Sequence, residues 1–304
     1  ANDCRAILGA GTKISYAADW SEYFGHHPGD GSGDVYFNLD ALWAAPNVDF
    51  VGIDNYMPLS DWRDGFDHVD AGEFASIYER EYLQSNIEGG EGFDWYYASA
   101  GARASQIRTP ITDGGAGKPW VFRYKDLRSW WSNQHYNRSG GTESGAPTAW
   151  VPESKPIRFT EFGCPAVDRG TNQPNTFYDP KSSESFAPYF SRGWRDDTIQ
   201  RAYLEAVLTY WRDNANNPAS AVYSGRMIDV DECAAWTWDA RPYPWFPALD
   251  DVWSDGENWR LGHWLNGRLG SVSLAALVRY LCGRAGLTPE FVDVRQMWGG
   301  LEGY

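Results

Sequence analysis

An α/β fold built around a parallel sheet is what this sequence predicts, and three observations carry the prediction. Four short segments rich in β-branched and aromatic residues each close on polar residues: "KISYAADW" (13–20), "VDFVGIDNYMP" (48–58), "IRFTEF" (157–162) and "AAWTWDARPYP" (234–244). They are nearly continuous apolar runs with little two-sided alternation, which suits strands buried on both faces of a parallel sheet. Helical stretches follow two of them. "DDTIQRAYLEAVLTYWRDNAN" (196–216) has apolar residues at helical spacing behind an acidic start, and "SVSLAALVRYLCGRAG" (271–286) does likewise and ends at glycine. Strand–helix alternation of this kind makes an α/β sheet or a (β/α) barrel.

The elements between these landmarks follow in order. "ANDCRAILGAG" opens the chain as the last turns of a helix stopped by glycines, as though cut from a longer polypeptide. Residues 59–156 separate the second and third strands, too long a gap for an ordinary crossover. Helices are expected there around 72–85, 93–108 and 125–135, with "WVFRY" (120–124) as a possible extra strand and the Gly/Ser-rich "NRSGGTESGAP" as a loop. The gap therefore reads as a large insertion over one face of the sheet. A complete eight-stranded barrel takes about 250 residues and eight strand–helix units. Four clear strands suggest part of a barrel, which would expose sheet edges.

Composition narrows the function. The formal charge is −15, which repels phosphate backbones and argues against nucleic acid as a partner. Seventeen Trp and eighteen Tyr supply flat apolar faces that stack on sugar rings as well as fill cores. Cys4, Cys164, Cys233 and Cys282 are scattered without zinc or disulfide-framework spacing and read as free buried thiols. His26 and His27 adjoin in a Gly/Pro/Asp loop, read as a surface loop rather than a metal site. "DVWSDGENW" (251–259) is acidic enough for calcium, but a solvated turn is the simpler reading. No metal and no cofactor is expected. No apolar run approaches the ~18 residues of a membrane span, and no leader peptide is recognised.

In parallel α/β folds the chemistry sits where strands finish. Those ends carry Asp19 and Trp20, then Asp54, Asn55 and Tyr56, then Glu161, and last Trp238 and Asp239. Carboxylates with indoles and a phenol at successive strand ends are what a saccharide site uses: acids for proton or glycosyl transfer, ring faces for the sugar. Plain structural roles compete with this. Asp19 and Asp54 suit turn caps, the tryptophans suit a core, and Glu161 suits an ion pair with Arg158 or Arg241. The Phe-Gly after Glu161 lets the backbone turn tightly beside the carboxylate and favours the functional role.

"KISYAADWSEYFGHHPGDGSGDVYFNLDALWAAPNVDFVGIDNYMPLSDWRDG", "KPIRFTEFGCPAVDRGTNQPN", "WVFRYKDLRSWWSN" and "WTWDARPYPWFP" together resemble the glycoside-hydrolase-like TIM-barrel domain of gene transfer agent and phage tail host specificity (tail hub) proteins. The resemblance covers residues 1–285; residues 286–304 look like the linker into a following tail-hub domain. It implies a (β/α)8 barrel of glycosidase type represented by its later strands, about the fifth to the eighth, with the insertion between the sixth and seventh. By the same resemblance Glu161 is the strand-seven nucleophile of a retaining glycosidase. Tyr56 is the tyrosine beside it and Trp238 an aromatic platform for the sugar; from the strand-end reading, Trp20 is expected as a second ring platform. Asp19, Asp54, Asn55 and Asp239 would bind substrate. The family's general acid comes from a Gly-Ser-Glu motif on an earlier strand, and no "GSE" occurs in the 304 residues. That acid is expected upstream of residue 1; Asp54 or Asp19 could substitute in principle, though an aspartate reaches less far. The implied partners are a cell-envelope polysaccharide or peptidoglycan-like substrate and other tail proteins of a phage-like particle, at whose tail tip the protein would sit. A non-catalytic glycan-binding or structural barrel is the alternative.

Overall fold

The computed structural model describes residues 1–176 and 186–236, single positions beyond them, and the backbone of two short C-terminal strands. The chain divides into two compact units: Ala1–Tyr56, Ile87–Phe162 and Val207–Ala235 form the first, and Met57–Asn86, Gly163–Ala206 and Trp236–Tyr304 the second.

The first unit opens with α1 (Asn2–Leu8), which stops at Gly9. Its sheet begins with β1 (Ala17–Asp19) and continues, after α2 (Asp40–Trp43), with β2 (Val51–Asn55). Two small antiparallel ladders follow, β3 (Trp95–Tyr96) with β4 (Thr109–Pro110) and β5 (Arg138–Ser139) with β6 (Thr142–Glu143). β7 (Ile157–Phe162) completes a three-stranded parallel sheet in the order β1–β2–β7. The next stretch runs beside β7, since Ile228 and Ala235 form parallel bridges to Ile157 and Phe162. Sequential parallel neighbours are what the four apolar segments predict. Beyond 236 the fourth lies outside the described residues, as do most of "DVWSDGENW" and most of the helix expected at 271–286.

Gly52 explains how tightly β1 lies on β2: a Cβ there would stand 2.5 Å from the Tyr16 carbonyl oxygen, so only glycine permits the approach. The alternation along β7 breaks at one point. Ile157, Phe159 and Phe162 are buried, with Thr160 and Glu161 both partly exposed between them. The register against β2 shifts at the same place, so that Asp54 pairs with Glu161 and not with Thr160. That is a β-bulge, a device that re-aims a side chain at the end of a strand.

The long connection between β2 and β7 has less regular structure than its pattern suggests. The expected helices shrink to α3 (Arg80–Ser85), α4 (Ala100–Ala104) and α5 (Leu127–Ser132). "WVFRY" is not a strand: Pro119–Phe122 is a 3-10 turn with Pro at its start, burying the consecutive Trp120 and Val121. A strand would have put those two on opposite faces. Tyr23, Trp43, Trp130, Trp131 and Trp150 pack into an aromatic core in the first unit. Lys155 holds the end of α2 by donating to the carbonyls of Trp43, Ala45 and Val48, as cations do at helix C-termini.

Lys125 is buried, with its ammonium donating to the Gly89 carbonyl at 3.1 Å. Burial pushes its pKa down to about 7 against the opposing pull of Glu91 and Asp94. An unfolded lysine keeps its proton to about pH 10.4, so between these values the unfolded chain binds more protons and stability rises with pH. The cost of this buried charge is therefore full below pH 7 and fades above it. Lys125→Met should gain stability over wild type, and that gain should shrink by on the order of 2 kcal/mol between pH 7 and 9. Urea unfolding of both proteins at the two pH values measures it; a pH-independent difference would sink the prediction.

The helical stripe at 196–216 forms α6 (Asp197–Arg212), with Ile199, Ala202, Tyr203, Ala206, Val207 and Trp211 buried. Its first ten residues belong to the second unit. There Asp196 caps the helix, accepting from the Ile199 N–H at 3.0 Å and from the Tyr78 phenol. Asp196→Ala should cost about 2–4 kcal/mol, combining a lost N-cap with a lost charge-assisted hydrogen bond from the buried Tyr78 phenol. Asp196→Asn, which keeps the cap acceptor, should cost less; equal losses in denaturant titrations would refute this account. In the tail, expected as linker, Val294–Met297 pairs antiparallel with Gly300–Gly303.

Candidate functional site

The carboxyl ends of β1, β2 and β7 lie side by side in the first unit, and the register lines up their acids. Asp19 pairs with Asp54, and Asp54 with Glu161. Adjacent strands are about 4.8 Å apart, so these side chains are immediate neighbours.

Glu161 is partly exposed, and its Oε2 accepts a 2.6 Å hydrogen bond from the Tyr56 phenol. Tyr56 follows the last residue of β2 directly, so one strand's end aims the phenol at the acid on the next. The bond fixes one oxygen and leaves Oε1 without a partner among the described residues. Arg158 is turned elsewhere, paired with Asp229 at 2.8 Å and Glu232 at 3.4 Å; Arg241 lies outside the described residues.

Asp54 is partly buried and its Oδ1 accepts from the Thr160 hydroxyl at 2.7 Å. Burial raises its pKa; the Thr160 bond opposes this, while the charges of Glu161 and Asp19 add to it. Asp54 thus holds a proton more readily than an ordinary aspartate. Asp19 is exposed, and its Oδ1 accepts from the Ser21 N–H and hydroxyl at 2.8 and 2.5 Å. It caps the turn that follows, as its competing structural role anticipates. Asn55 is buried.

Trp20 continues the ladder, its N–H donating to the Asp54 carbonyl at 3.0 Å. Its ring meets Tyr124 edge-on, with centroids 4.7 Å apart, and its buried Nε1 has no hydrogen-bond partner among the described residues. Beside it opens a cleft of about 750 Å³ lined by Phe24, His26, His27, Phe122 and Tyr124 among others. His27 Nε2 meets the Val121 carbonyl at 2.7 Å. Trp238 and Asp239 lie outside the described residues.

The structure thus brings together Asp19, Trp20, Asp54, Tyr56 and Glu161. Sequence reasoning missed Thr160, the bulge residue that holds Asp54, and Tyr124, the ring against Trp20. The adjacent polar pair Thr-Glu in "IRFTEF" was the available signal for the first; nothing local marked the second. Among the described residues no cluster of His, Cys, Asp and Glu could hold a metal ion. No helix there is long and apolar enough to cross a membrane. All four cysteines are free, but of the expected buried thiols only Cys164 is buried; Cys4 is exposed, and Cys233 and Cys282 are half-buried.

A search of curated proteins returned no match to the chain. The model of the GTA TIM-barrel-like domain, that of gene transfer agents, matches residues 1–247, short of the 285 expected. The chain belongs to the GTA TIM-barrel-like domain family.

Proposed function

We propose that this domain is a retaining glycoside hydrolase acting on a cell-envelope polysaccharide, with Glu161 as its nucleophile. The observation that supports it most is the Tyr56 phenol on the Glu161 carboxylate at the ends of neighbouring parallel strands, with Asp54 in register beside them. Retaining enzymes keep their two carboxyl groups about 5–5.5 Å apart, a separation that paired residues on adjacent strands can reach.

In this mechanism a Glu161 oxygen attacks the anomeric carbon as the glycosidic bond breaks. A carboxylic acid protonates the departing oxygen, giving a glycosyl ester that water then hydrolyses. Tyr56 positions the nucleophile, and Asp54 is the acid of this sheet best placed to carry the proton. The Trp20 cleft would receive the ring faces of the sugar, with Trp238 as a second platform and Asp19, Asn55 and Asp239 on its hydroxyls. The parallel strands would be the later ones of a barrel, about the fifth to the eighth, with residues 59–156 inserted between the sixth and seventh. The partners in this proposal are other tail proteins of a phage-like particle, with the domain at the tail tip acting on peptidoglycan-like or other envelope glycans.

One observation favours a second proposal, a barrel that only binds a host-surface glycan. Asp19 and Asp54 each have an oxygen engaged by a neighbouring hydroxyl, which suits holding a sugar better than cleaving it. Incubation with purified envelope polysaccharide separates the two. Release of reducing ends is expected; retention of the glycan without release would leave the binder.

A further inference from the structure

The second unit holds a pocket of about 240 Å³ between the loop after β2 and the loop after β7, and its lining is unlike that of the first unit's cleft. Trp62, Phe66 and Trp194 line it together with Arg63, Arg169 and Arg192, the Arg63 guanidinium lying over the Phe190 ring at 3.6 Å. In a chain of charge −15 such a cluster calls for a reason.

Its ion pairs are of two kinds. Arg63 and Asp61 are both buried and meet at 2.8 Å. Asp168 is saturated: it accepts from the Ser191 hydroxyl at 2.9 Å, the Trp194 N–H at 2.8 Å, the Arg192 N–H at 3.0 Å and the Arg169 guanidinium at 3.2 Å. These contacts build the loops. Asp64 differs: its carboxylate is 60% exposed and bridges Arg169 to Arg192, itself 51% exposed. Exposed pairs contribute only about 0–1 kcal/mol each, so Asp64 is cheaply displaced. Gly65, at φ +73° with open space around it, gives the turn freedom to swing. With Asp64 turned out, Arg192 loses the carboxylate it pairs with, and its charge is open to a ligand.

We infer that this pocket binds a carboxylated sugar unit, whose carboxylate replaces that of Asp64 on Arg169 and Arg192 while its ring rests against Trp194 and Phe66. A planar guanidinium suits a carboxylate. Trp194 and Phe66 are 42% and 58% accessible, with the Arg192 guanidinium 5.0 Å from the Trp194 ring centroid; aromatic rings suit a sugar and would have little to offer a bare inorganic anion. The volume holds one small unit, not a chain. This site does not depend on Glu161.

Titration of the whole chain with glucuronate, methyl glucuronide and glucose, followed by ligand-observed NMR, tests it. Glucuronate should saturate the protein at millimolar concentration, with glucose at least about tenfold weaker because it lacks the charge-assisted bonds. The methyl glycoside distinguishes a unit within a glycan, which it should mimic with undiminished affinity, from a free acid, for which it should bind more weakly. Asp64→Asn removes the competing charge and should tighten glucuronate binding about 3- to 10-fold. Arg192→Gln should weaken it by about tenfold or more. Both positions are on the surface, and thermal unfolding confirms the fold of each variant; should Arg192→Gln fail to fold, Asp64→Asn carries the test. Equal binding of glucose and glucuronate, unchanged affinity in Asp64→Asn, or no saturation in either wild type or Asp64→Asn would overturn the assignment.

Discussion

Glu161→Gln should abolish release of reducing ends while changing glycan affinity little. Glutamine keeps the size of the side chain and a carbonyl oxygen for the Tyr56 phenol, so the 2.6 Å contact and the strand around it survive. What is lost is the anionic oxygen that attacks the anomeric carbon. Removing a covalent nucleophile costs factors on the order of 10⁴ to 10⁶ in kcat, far more than any change in binding. Tyr56→Phe gives the graded comparison. It deletes one hydrogen bond to a charged group, of about 1.5–3 kcal/mol, so its rate should fall about 10- to 100-fold with the fold intact. Undiminished turnover in Glu161→Gln would end the hydrolytic proposal. Equal loss in both variants would mean that the phenol does more than position the acid.

Asp54 adds a dependence on pH. Because Glu161 helps hold its pKa up, replacing that charge should lower the pKa of Asp54, and Thr160→Val, which removes an opposing bond, should raise it. Because Asp54 works in its protonated form in the proposed mechanism, the basic limb of a pH–rate profile would move with Thr160 although that residue meets no substrate there.

How much of this was legible beforehand follows from which forces are local. β7 is where the pattern places it, because Ile157, Phe159 and Phe162 bury one after another and Gly163 ends the strand's run. α6 is legible for the same reason, its stripe of buried residues repeating at helical spacing behind an acidic start. The strand ends then put Asp54 and Glu161 on neighbouring strands, although the bulge that aligns them needed the partner strand to define it. The connection between β2 and β7 was misjudged because aromatic stacking and long-range polar contacts shape it, and neither has a sequence period. Trp120 and Val121 read as strand residues until Pro119 and the surrounding rings turn them into a 3-10 turn. The arginine pocket was invisible for the same reason. Asp64 meets Arg169 across 105 positions of sequence, and nothing near either one announces the other.

The largest effect on stability should come from His135, at the centre of the first unit's aromatic core. Its ring is fully buried, stacked on Phe37 at 4.4 Å and nearly parallel to Trp150 at 5.7 Å and 11°. Nε2 meets the Trp130 carbonyl at 2.7 Å, and Nδ1 meets the Asp40 carboxylate at 2.9 Å. A carbonyl can only accept, so Nε2 carries a hydrogen; Asp40, only 2% exposed, has the Thr148 hydroxyl as its other donor. His135→Leu preserves apolar volume but strands a buried carboxylate and a buried carbonyl. Breaking such a pair from one side costs about 3–5 kcal/mol, a large share of the 5–15 kcal/mol that about describes a domain's whole stability. Removing both partners should be gentler than removing one, because the penalty lies in the uncompensated charge and not in the lost contact. Guanidinium unfolding of His135→Leu, Asp40→Leu and the double variant decides this. The double variant should recover at least half of the loss seen in His135→Leu. A single variant within about 1 kcal/mol of wild type would mean that stacking, not the polar pair, holds this core, since an aromatic pair contributes only about that much beyond its buried area.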